Sequence, residues 1–121
     1  MTRIIAAGAL AAVLLAGTAH AQQAAYMWSG TGTNVAGATK CDRYKMKIDV
    51  TVEGNAVKGI FVQEGRPERH FEAAVAAGGA FKTKAKLDAG TTMDVSGIIK
   101  DGASKILLDG YCKFGGPLTK K

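Results

Sequence analysis

The chain has 121 residues and 47% hydrophobic composition, and 16 Lys and Arg outnumber 10 Asp and Glu for a formal charge of +6. That length holds one small domain. The lack of any low-complexity tract or long charge block excludes a disordered polyelectrolyte, and beyond residue 21 no apolar stretch is long enough to span a bilayer as a helix.

Met1-Thr2-Arg3 gives a positive start, Ile4 to Leu15 is apolar, and Ala19-His20-Ala21 places small residues where a signal peptidase reads. Residues 1–21 are therefore a secretory leader, too short in its apolar run to serve as a membrane anchor. Cleavage after Ala21 leaves residues 22–121 as a single domain, and loss of Arg3 takes the charge from +6 to +5. The destination is the periplasm or the exterior.

Ala25 to Thr33 is the first expected strand, with Tyr26 and Trp28 on one face. The Gly-, Thr- and Ala-rich segment 30–40 follows as a mobile loop. From residue 44 the pattern is strict: Tyr44, Met46, Ile48, Val50 and Val52 are apolar, and Lys45, Lys47, Asp49, Thr51 and Glu53 alternate with them. Period 2 over ten residues is a strand with one wet face; a helix would smear the same residues round its circumference. Gly54-Asn55 turns the chain into a strand over Val57 to Gln63. Gly65-Arg66-Pro67 breaks it before His70 to Ala76, Gly78-Gly79 turns it into Phe81 to Leu87, and Ala89-Gly90 precedes Thr91 to Lys100. Asp101-Gly102 is a hairpin signature. Lys105 to Phe114 reads as the last long strand, and Leu118 to Lys121 as a short eighth.

Short turns between seven or eight strands make an antiparallel meander. The expected fold is all-β, an up-and-down meander curled into a small β-barrel, with a two-sheet β-sandwich as the alternative. The expected interior is Trp28, Met46, Ile48, Val50, Val52, Phe61, Phe71, Val75, Phe81, Leu87, Met93, Val95, Ile99, Ile106 and Leu108. Of these, Trp28, Met46, Phe61, Phe71 and Phe81 are the residues that would line a pocket for a small apolar ligand if the barrel kept an open mouth, and otherwise form its core. Gly59, Gly97 and Gly110 fall inside strands, where they permit bending or close packing.

Cys41 and Cys112 form an even pair in an exported chain, which reads as one disulfide. In a closed meander it would fasten the seam where first and last strands meet.

Signatures of chemistry are sparse. Past the leader the one histidine is His70, with no HxH, HExxH or CxxC nearby, and no GxSxG, phosphate loop or dinucleotide fingerprint occurs. These absences point away from an enzyme, a metal and a cofactor. Basic residues form two groups: Lys82, Lys84 and Lys86 on one strand face, and Arg66 and Arg69 in the loop EGRPERH. They are the candidate surface for an anionic envelope lipid or glycan. Without exposed aromatics interleaved among them, nucleic acid is not expected as a partner.

The segments YMWSG, CDRYKMKI, VKGIF and GYCKF are similar to those of a group of small exported bacterial β proteins. The resemblance implies an antiparallel β fold with a disulfide linking first and last regions, and it implies no activity. The chain lacks the early G-x-W of lipocalins, the several tryptophans of avidins and the acidic charge of inhibitors that face lysozyme. The expected function is that of a non-catalytic exported barrel binding an anionic envelope component or a small ligand. The alternative is an inhibitor that blocks another enzyme with loop 30–40 or 64–70.

Overall fold

The computed structural model describes residues 23–121; the leader expected over residues 1–21 lies outside them. The described chain forms nine strands: β1 (Gln23–Thr31), β2 (Lys45–Glu53), β3 (Ala56–Gln63), β4 (Arg69–Ala74), β5 (Ala80–Lys86), β6 (Thr92–Ile98), β7 (Lys105–Asp109), β8 (Lys113–Pro117) and β9 (Thr119–Lys120). They make two antiparallel sheets. One has the order β4-β3-β2-β1-β9, the other β5-β6-β7-β8. β5 to β8 form a hairpin meander, as their tight Gly-containing turns require; in the other sheet β2, β3 and β4 follow in hairpins, β1 joins β2 through residues 32–44, and β9 pairs with β1 from the end of the chain. Among the described residues no helix is long and apolar enough to cross a membrane.

The alternating segments sit as their parity demands. In β2, Met46, Ile48, Val50 and Val52 are buried between the sheets while Lys45, Lys47 and Glu53 face out. Phe61 and Val57 of β3 join them, and Met93, Val95, Leu108 and Phe114 close the core from the other sheet. Trp28, Val75, Leu87 and Ile99 pack against its margin.

The barrel does not close, and the two-sheet alternative is the observed architecture. One interruption lies between β4 and β5, which run side by side without a ladder. The other lies between β1 and β8. Met27 pairs with Thr119 of β9, and Thr33 forms an isolated bridge with Lys113. Six residues forward from Met27 to Thr33 match six back from Thr119 to Lys113, so both pairings share one antiparallel register. Between them the ladder is missing. A Cβ on Gly30 would lie 2.7 Å from the Trp28 ring and one on Gly116 3.1 Å from its Nε1, so the indole covers this gap. Gly115 bends β8 here at φ +139°.

The segment expected as one strand from Lys105 to Phe114 is two, folded at 110–112. Leu108 pairs with Phe114 and Asp109 with Lys113. That register keeps even-numbered residues inward on both sides of the turn, so no break of phase marks the hairpin in the sequence. Gly110 thus belongs to a turn rather than to a strand.

The in-strand glycines Gly59 and Gly97 serve packing. Gly59 of β3 pairs with Phe71 of β4, and Gly97 of β6 pairs with Phe81 of β5. Each ring lies over its glycine: an added Cβ would come within 2.0 Å of Phe71 or 2.6 Å of Phe81. The two rings stack on each other, centroids 6.5 Å apart and planes 5° apart, across the unpaired β4–β5 boundary. This contact joins the sheets where hydrogen bonding does not.

Candidate functional site

One end of the sandwich carries the loops after β1, β3, β5 and β7. The disulfide Cys41–Cys112 lies there, spanning a sequence separation of 71 with Cα atoms 5.7 Å apart. Both cysteines are fully buried. Cys41 begins a short 3-10 turn over Cys41–Arg43, and its backbone N–H donates to Asn34 Oδ1 at 2.9 Å. Together with the Thr33–Lys113 bridge, these contacts tie the 32–44 connection, which contains most of the segment 30–40 expected to be mobile, to the β7–β8 turn. With the barrel open, the bond joins the β1–β2 connection to the β7–β8 turn beside the unpaired β1–β8 boundary, rather than fastening the seam of a closed meander.

At this end Arg66, Arg69, Leu87, Asp88, Thr91 and Tyr111 surround a depression of about 200 Å³. Arg69 opens β4 at inward parity, in line with Phe71 and Ala73, so its side chain turns into the mouth rather than out to solvent. Only 10% of that side chain is exposed, and its Nη2 donates to Asp88 Oδ2 at 2.9 Å. Asp88 itself is 67% exposed. Arg66 is exposed beside it, at the end of a turn closed by its N–H donating to the Gln63 carbonyl at 2.9 Å.

Tyr111 occupies the β7–β8 turn, next to the disulfide. Its hydroxyl donates to Oε1 of the buried Gln63, which ends β3. Its ring meets Phe114 edge-on at 5.8 Å and Tyr44 edge-on at 6.4 Å. Burial pushes the phenol pKa above its ordinary value, and the Arg69 and Arg66 charges pull partly against that. The hydrogen bond to Gln63 and the adjoining disulfide thus hold Tyr111 at the rim of the mouth.

The structure separates the two basic groups expected to act together. Lys82, Lys84 and Lys86 are exposed on the outer face of β5. Lys84 is engaged with Asp94 at 2.7 Å, and that hydrogen bond lowers the Asp94 pKa. Arg66 and Arg69 border the mouth, and Arg69 is not a surface residue. The residues considered for an apolar pocket fill the interior: Met46, Phe61, Phe71 and Phe81 are buried, and Trp28 is half-buried at the β1–β8 gap. Two wider concavities of about 660 and 640 Å³ lie open on the sheet faces, the first over Ser29, Thr31, Lys45, Lys47, Val62 and Glu64. Neither carries a partly buried charge.

His70 is exposed and lies 3.1 Å from Glu68. Among the described residues no cluster of three or more His, Cys, Asp or Glu side chains is placed to hold a metal. Asp88, Thr91 and Tyr111 are the mouth residues that sequence reasoning did not select. Asp109-Gly110 was the turn signal that could have placed Tyr111 in a loop. No family model, curated protein or solved structure matches the chain.

Proposed function

We propose that this is a non-catalytic exported binding protein that holds the anionic group of an envelope component or small ligand at the Arg66–Arg69–Tyr111 mouth. One observation carries the reading. An arginine side chain almost withdrawn from water converges with a second, exposed arginine on one depression, and the one carboxylate among the lining residues is mostly exposed. Withdrawing charge from solvent is costly and is kept where the charge has a partner to meet. The disulfide supports export, because such bonds persist in oxidising compartments. Tyr111, Leu87 and Thr91 supply contact surface, with no nucleophile–base pair among the lining residues.

The test is an NMR titration of the oxidised protein with acetate, benzoate and inorganic phosphate. Amide shifts at Arg66, Arg69, Thr91 and Tyr111 are expected, and Arg66→Gln should weaken binding several-fold. Charge reversal of Lys82, Lys84 and Lys86 should leave the affinity unchanged. Shifts confined to the β5 face would overturn the assignment to the mouth.

A further inference from the structure

Arg69 is underused. Among the described residues its one side-chain hydrogen bond is the contact from Nη2 to Asp88. A guanidinium carries five N–H donors arranged to grip a planar carboxylate through two parallel bonds. A single-point pair with an exposed aspartate leaves that capacity open toward the depression it borders.

Asp88, for its part, is free to leave. It opens a short 3-10 turn over Asp88–Gly90 that is held by its own backbone. Leu87 N–H donates to the Thr91 carbonyl at 2.8 Å, Thr91 Oγ1 donates to the Asp88 carbonyl at 2.8 Å, and Thr91 N–H reaches the same carbonyl at 3.3 Å. None of these bonds uses the Asp88 carboxylate. Its side chain can swing to water without undoing the turn.

We infer that the Asp88 carboxylate stands in for the ligand's own, and that the mouth takes a small monocarboxylate which displaces Asp88 from Arg69. This rests on the reading of the mouth as an anion site. Two features narrow the class. The group now seated on Arg69 is one planar carboxylate, and a ligand that takes its place meets the guanidinium fork with a single carboxylate of its own. The depression, about 200 Å³, falls below the roughly 300–1,000 Å³ of sites for drug-sized ligands. Leu87 and the Tyr111 ring offer an apolar wall for a short hydrocarbon or aromatic body.

The carboxylate could belong to a free apolar acid or to a uronic acid of a glycan, so the probes are benzoate and glucuronate, with inorganic phosphate as the dianion. Calorimetric titration compares the oxidised wild type with Asp88→Asn and with Asp94→Asn, which removes the same charge at Lys84. Asp88→Asn is expected to tighten carboxylate binding about tenfold, because an internal competitor lowers apparent affinity by the fraction of time it occupies the site. Asp94→Asn should change nothing. Benzoate binding above glucuronate assigns a free acid; the reverse assigns a glycan, and both support the exchange. Equal tightening by Asp94→Asn would reduce the effect to bulk charge and overturn it. Wild-type binding that Asp88→Asn leaves unchanged or weakens would overturn the exchange while the mouth remains an anion site. Failure of every probe on every variant at millimolar concentration would overturn both. Phosphate bound more tightly than either carboxylate by Asp88→Asn would overturn the ligand class.

Discussion

Gly59 and Phe71 show how a single missing side chain organises this fold. The ring occupies the volume a Cβ would need, at 2.0 Å, and from there stacks on Phe81 of the other sheet. Gly59→Ala should therefore destabilise the protein by about 1–3 kcal/mol through overpacking, read as a lower urea midpoint. Gly78→Ala, where nothing lies within 4 Å, should be close to neutral and serves as the control. Tyr111 offers a second residue-scale test. Burial raises its pKa, so the folded state holds the phenol proton more tightly than the unfolded chain, whose phenol titrates near 10. The stabilisation is complete below about pH 10 and is lost as pH rises through the folded value. Absorbance titration of tyrosinate should show a step above 10.0 that Tyr111→Phe abolishes; if Tyr111→Phe instead removed a step at or below that value, desolvation would not be acting on this phenol.

At the scale of elements, the β7–β8 hairpin and the disulfide form one device. The bond closes a loop of 71 residues' separation, and chain entropy assigns a loop of that size about 4 kcal/mol. Domains of this size hold only about 5–15 kcal/mol in all. Reduction, or Cys41→Ala with Cys112→Ala, should lower the melting temperature markedly in calorimetry, and an unchanged transition would refute this share. The strands were legible because period 2 survives in the residue order: Met46 to Val52 are buried as their alternation indicates. The hairpin was not, because Leu108 and Phe114 pair directly and keep the same parity. Tyr111 thereby passed for a strand residue although it occupies a turn.

For the whole molecule, closure is the deciding property. The sheets are held together by the Phe71–Phe81 stack at one boundary and by the disulfide, the Thr33 bridge and β9 at the other. β9 is only Thr119–Lys120, yet it covers part of the β1 edge, and Lys121 Nζ lies 2.7 Å from Asp49 Oδ1 on β2. Ending the chain at Pro117 would uncover that edge and remove Leu118 from the core margin. Each kcal/mol so lost should lower the melting temperature by about 4–8 °C. Exposed edges also pair with one another, so sedimentation should show more self-association for the truncated chain than for the full chain at the same concentration. A truncated chain that remained monomeric with an unshifted transition would show that β9 is dispensable.

The sequence by itself determined most of the antiparallel strands, the side on which their apolar residues face inward and the pairing of its two cysteines. These follow from local alternation, turn residues and a count with one intrachain solution. Only the tertiary structure decided that the meander stays two sheets and that Arg69 turns inward. It alone gathered Arg66, Arg69, Asp88 and Tyr111 around one depression. Those residues come from the start of β4 and from three separate connections, and their convergence depends on the register of every strand between them. That register is a property of paired strands, which no short stretch of sequence contains.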